Sequence, residues 1–114
     1  MATATPICTT EKDITDHFGQ VCTVVGTYEI KPFRNQRGGL LREWPVVVLA
    51  QGHESVQIES IWDESKMPSA DTIAQHRGRK VEVVGMLHGS PPGRIANMVV
   101  PCISPVQSIR VLPD

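Results

Sequence analysis

The sequence predicts a mainly-β domain, a five-stranded Greek-key barrel with a helix between its third and fourth strands and a short helix at the N-terminus. Three observations carry that expectation. Five stretches rich in Val, Ile and Leu are separated by clusters of Gly, Pro, Asn and Ser. The two longest carry a glycine near their middle, Gly26 and Gly85, where a closing sheet needs a bend or a bulge. One intervening segment has helix start and stop signals instead of strand periodicity.

The first segment begins at Thr10, an N-cap residue, with Asp13 in the first turn, Ile14 and Phe18 four apart, and Gly19 as a stop. It predicts about two helical turns, too few to stand alone, and residues 1–9 are expected to form a flexible N-terminus. From Gln20 to Ile30 the residues are strand formers. Lys31 to Glu43 reads as a loop punctuated by Pro32, Asn35 and Gly38-Gly39. Trp44 to Ala50 is a strand with Pro45 near its start, and Gln51 to Glu54 is a hairpin turn. Ser55 to Ile61 alternates, with Gln57 and Glu59 on the outer face.

After a loop from Trp62 to Pro68, Ser69 caps a helix to Gln75, with Ile73 and Ala74 turned to the core. Asp71 complements its N-terminus, His76 and Arg77 its C-terminus, and Gly78 takes the left-handed position. Arg79 to His88 is the next strand. It aligns without a gap on the strand from Gln20, so the two are expected to be neighbours, each bent at its glycine. Gly89 to Gly93 is a loop, and Ile95 to Val100 and Cys102 to Leu112 are extended. Pro101 and Pro105 place that last strand at an edge or break it.

This order resembles the OB-fold over Gln20 to Leu112, on the strength of Gly26, Gly85, the turn at Gln51-Gly52 and the helix from Ser69. The likeness is one of architecture, and that fold hosts many functions. An SH3-like barrel or a small sandwich is the competing architecture, but neither expects a full helix at that point. The resemblance implies that ligands meet the loops between strands one and two and between strands four and five.

Composition narrows the function classes. A chain of 114 residues fits one domain, and 11 Lys+Arg against 12 Asp+Glu exclude a globally basic nucleic-acid coat. No apolar run approaches membrane-spanning length. Met1 to Pro6 has neither a basic nor an apolar leader segment, so the expected compartment is the cytoplasm. Cys8, Cys22 and Cys102 form no CxxC and no cluster with His17, His53, His76 or His88. Buried inert thiols, no metal and no cofactor are therefore expected. No GxSxG, HExxH or Walker spacing occurs, and the adjacent acids Asp63 and Glu64 do not face one another as an acid/base pair must. No catalytic residue is assigned and an enzyme is not expected.

One stretch stands out. Lys31 to Arg42 holds Lys31, Arg34, Arg37 and Arg42 and no acid. Phe33 and Trp44 accompany them, and Arg94 follows the second loop. Aromatic rings stack on bases and arginines neutralise phosphates, so the leading expectation is a binding module for single-stranded DNA or RNA. Against it, aromatics are only 4% of the chain, and Glu54 and Glu59 would repel a nucleic-acid backbone. The alternative is a protein-interaction or homo-oligomerising barrel in which the same stretch is a recognition arm, or is merely solvated.

Overall fold

The computed structural model describes residues 5–34, 37–51, 54–89 and 100–113. The chain runs β1 (Ile7–Cys8), α1 (Glu11–Asp16), β2 (Val21–Arg34), β3 (Leu40–Leu49) and β4 (Ser55–Ile58). A 3₁₀ turn η1 (Glu64–Lys66), α2 (Ala70–His76), β5 (Lys80–His88) and β6 (Cys102–Val111) complete it. Pairing proceeds from β2 through β3, β4, β6 and β5 back to β2, a ring-like closure of a mixed sheet. All neighbours in the ring are antiparallel except β4 and β6.

β2 makes closure possible because it serves two partners. Its first half, Val21 to Thr27, pairs with β5, and its second half, Gly26 to Arg34, pairs with β3. At Gly26 both neighbours close in, and the carbonyl of Val48 lies where a side chain would begin. The expected pairing with the strand from Arg79 is observed. Gly85 sits at a bulge, where the β5–β6 register slips on either side and leaves Pro105 out of the ladder. A proline can therefore lie within β6 without costing a sheet hydrogen bond.

The described residues form six strands, not five. Ile7–Cys8, expected to be flexible, pairs in parallel with Thr23 and Val24. It occupies the edge of β2 that β3 has not yet reached, with Thr23 donating to the Pro6 carbonyl at 2.7 Å. Lys31 to Glu43, expected to be a loop, is mostly strand. β2 and β3 run on past the barrel as a hairpin arm in register down to Phe33 opposite Arg42. The half-buried face of the arm carries Lys31 and Arg42 beside Phe33, so the apolar alternation by which a strand is recognised is missing. Pro32 looked like punctuation, yet its missing N–H falls on the free edge: Tyr28 donates toward Arg79 on the β5 side, and even-numbered residues of β2 keep that direction.

β4 ends at Ile58, earlier than the expected Ile61. Pro45, which would face Ile58, has no N–H to extend the ladder, and Glu59 turns the chain with φ 65°. Glu59, read from the sequence as an outward acid, instead accepts from Ser104 Oγ at 2.8 Å and from the Val106 N–H at 3.3 Å. Its carboxylate thus continues the contact with β6 where the backbone has left. Ile95 to Val99 lie outside the described residues.

The barrel interior is filled by Val24, Tyr28, Val47, Leu49, Val56, Val81, Val83, Leu87 and Ile103, with Cys8, Cys22 and Ile14 at one end. Burial pushes the Cys8 and Cys102 thiols up to about 12, which keeps them protonated and unreactive. α2 is capped as expected, Ser69 Oγ accepting from the Thr72 N–H at 3.2 Å. Gly78 has φ 78°. The helix buries no residue: Ile73 is half-buried and Ala74 exposed, because Tyr28 is met instead by the His76 ring, 5.4 Å away. No helix among the described residues is long and apolar enough to cross a membrane.

α1 ends at Asp16, so Phe18 lies beyond it and is 40% exposed, whereas Ile14 packs inside. Its start is a reciprocal capping box. Thr10 Oγ1 accepts from the Asp13 N–H at 3.1 Å, and the Asp13 carboxylate accepts from the N–H groups of Thr9 and Thr10. The Thr9 N–H is the main reason the Asp13 carboxyl is held below its ordinary value. A depressed carboxyl contributes stability above its unfolded pKa, and that contribution is lost as pH falls through the folded one. Asp13→Asn should therefore lower the melting temperature at pH 7, and the difference from wild type should shrink below pH ~3.9. A difference that stays constant down to pH ~2 would remove the carboxylate from this role.

Candidate functional site

The arm is built from Lys31 to Arg34 of β2 and Leu40 to Glu43 of β3. Neither β5, which leaves β2 at Thr27, nor β4, which leaves β3 at Val46, flanks it. On antiparallel strands, residues opposite one another share a face. Lys31 opposite Trp44 and Phe33 opposite Arg42 therefore form one surface, and the next pair toward the barrel is Glu29 with Val46. Lys31 and Phe33 are half-buried there. Arg34 and Arg37 are exposed at the turn, where Arg34 Nη1 donates to the Gly38 carbonyl at 3.1 Å. Arg94 lies outside the described residues.

Trp44 and Arg42 depart from the role expected of them. Trp44 is 1% exposed, so its faces are not free to stack on a base. Its indole N–H donates to the carbonyls of Ile58 at 2.9 Å and Glu59 at 3.1 Å. It thereby supplies the Ile58 carbonyl with the donor that Pro45 lacks. Arg42 pairs with Glu64 Oε1 at 2.8 Å and lies 6.0 Å from the centre of the Trp44 ring. One of the four cations is thus already answered by an acid.

This packing has a sequence cause. Val46, Gln57 and Cys102 stand side by side in register on the face of the sheet opposite the interior residues Val47, Val56 and Ile103, and all three are buried. The chain after Glu59 folds back over that outer face, burying Ser60 and Ile61 and bringing η1 to the root of the arm. Between η1 and β3 remains an open groove of about 330 Å³ lined by Leu41, Arg42, Glu43, Trp44, Glu64 and Met67.

The rim of this groove was not anticipated from the sequence. Leu41 and Met67, which line the groove, are 39% exposed each, and Leu40, beside Leu41 toward the turn, is 55% exposed. The signal was available in the doublet Leu40-Leu41 directly after Gly38-Gly39, since a solvated loop has no use for two leucines. Away from the arm three histidines are engaged in structure. His17, His76 and His88 each bond a backbone carbonyl, at 2.6, 2.7 and 2.7 Å. Among the described residues no group of His, Cys, Asp and Glu could hold a metal ion. No family model, curated protein or solved structure matches the chain.

Proposed function

We propose that the chain is a non-enzymatic, OB-like binding module whose arm and groove take up a protein partner. The observation that carries this reading is a groove at the root of a projecting hairpin lined by the exposed Leu41 and Met67, with the exposed Leu40 next in the chain toward the turn. Grouped exposed apolar side chains with a charged rim are the ordinary composition of a protein interface. The OB-like assignment is supported by the ring order, by the parallel β4–β6 pair that closing a ring of five strands requires, and by the placement of α2 between the third and fourth strands of the ring.

Single-stranded DNA or RNA is the second reading, favoured by Lys31 and Phe33 on one face with Arg34 and Arg37 beyond them. It has lost Trp44 to the fold and Arg42 to Glu64. Capture from lysate with nuclease separates the two. Proteins should stay with the wild type after nuclease and be lost with Leu40→Ser/Leu41→Ser. Retention that is unchanged in that variant, or that disappears with nuclease, counts against a protein partner. In fluorescence anisotropy at low salt, labelled oligo-dT and oligo-U should titrate flat. Binding that weakens steeply with salt and vanishes in Arg34→Ala/Arg37→Ala would instead install the nucleic-acid reading.

A further inference from the structure

The arm carries opposite charges at its two ends, each beside exposed apolar surface. Toward the turn, Arg34 stands across from Leu40, and one guanidinium bond to Gly38 leaves further N–H donors directed outward. Nearer the barrel, Glu43 is exposed and has no ion-pair partner among the described residues. Glu64, whose side chain is 80% exposed and paired with Arg42, shares that groove, with Leu41 and Met67 as its apolar lining, so among the described residues Glu43 is the acid there without an ion-pair partner. The cationic and anionic ends are three residues apart on β3, about 10 Å along a strand.

A surface with this pattern complements itself. When two arms lie antiparallel about a two-fold axis, the tip of each reaches the root of the other, and both contacts are satisfied at once because the spacing is the same in both copies. Edge-to-edge strand addition along β2 is opposed by Pro32, whose nitrogen faces that edge without a proton. At the β2 edge the contact is therefore one of side chains.

We propose that the chain forms a two-fold dimer in which Arg34 and Leu40 of each copy seat in the groove formed by Leu41, Glu43, Glu64 and Met67 of the other. This rests on reading the arm as a protein-binding surface, and it names a second copy of the chain as the occupant. A contact made by two short arms belongs with the interfaces below ~1,200 Å², those of weak and transient encounters.

Sedimentation velocity of the nuclease-treated full chain over a wide range of concentration, up to the limit of solubility, tests the proposal. Wild type should shift from monomer to dimer. Arg34→Glu and Glu43→Arg should each weaken association at least about tenfold, since each sets like charges face to face twice per dimer. An equimolar mixture of the two variants should dimerise again. One chain then brings an acid to both contacts and its partner brings an arginine to both, so opposite charges face each other across the axis. That rescue cannot come from misfolded chains. A wild type that stays monomeric throughout, reversals that leave association unchanged, or a mixture that does not recover would each overturn the dimer. Arm-dependent capture of another protein after nuclease would survive any of those results, so failure of the dimer and failure of the arm as a protein surface are told apart.

Discussion

Gly26→Ala is expected to destabilise the fold by about 3 kcal/mol or more, with Gly85→Ala close behind. A Cβ on Gly26 would lie 2.1 Å from the Val48 carbonyl oxygen and 2.8 Å from Val47 Cγ1. On Gly85 it would lie 2.4 Å from the Pro105 carbonyl oxygen and 3.0 Å from Ile103 Cγ1. In both cases the nearest atom is backbone of the neighbouring strand, which cannot move aside like the end of a flexible side chain. Relief therefore requires the ring itself to open. Gly38→Ala is the control, since nothing lies within 4 Å of its Cβ position but φ is +83°. It should lose only the ~1–2 kcal/mol of a left-handed residue. Urea melts of the three variants should rank Gly26 first, Gly85 second and Gly38 last. If Gly26→Ala melts with wild type, β2 does not pass between β3 and β5 as described.

The same two glycines show why much of the fold was legible in the sequence. A barrel of short strands must bring backbones together at its corners, and a glycine inside a run of Val and Ile has few other uses. Caps were legible for a similar reason: Thr10 with Asp13, and Ser69 ahead of Asp71, place side-chain acceptors where helix N–H groups lack partners. Such signals are local, written within four residues of where they act.

What could not be read depended on partners distant in sequence. The arm has strand geometry because each strand provides the other's hydrogen bonds, and its half-buried face is filled by Lys31 and Arg42 as well as Phe33, so no apolar alternation marks it. The two-residue β1 exists because β3 leaves an edge of β2 uncovered, something no property of Ile7 or Cys8 announces. Burial of Trp44 depends on the chain beyond Glu59 returning across the outer face of β3 and β4. Glu59 was the least legible of all. A left-handed glutamate is disfavoured by its own backbone, and it is held there by Ser104 and Val106, more than forty residues away. The candidate site inherited these errors, because its reading assumed that an aromatic residue beside a basic stretch shares that stretch's exposure.

Trp44 is where fold and function are most directly separated, and Trp44→Ala should cost about 3–5 kcal/mol. Its ring is buried, with Arg42 near one face and the returning chain against it, so truncation leaves a cavity beneath the groove. Trp44→Phe isolates the hydrogen bonds. It keeps most of the apolar volume but removes the indole N–H from the Ile58 and Glu59 carbonyls. Pro45 has no proton to offer in its place, so the Ile58 carbonyl loses a donor at a buried position, and a cost of about 1–3 kcal/mol follows. The two variants should therefore be graded in urea, alanine well beyond phenylalanine and both below wild type. A tryptophan serving as an exposed stacking platform gives the opposite result: alanine would melt within ~0.5 kcal/mol of wild type, as surface substitutions do. That outcome would return Trp44 to the surface and restore the aromatic half of the oligonucleotide reading. The graded loss would leave Phe33 as the arm's only aromatic available to a ligand, and one ring is too little for a platform on which successive bases stack.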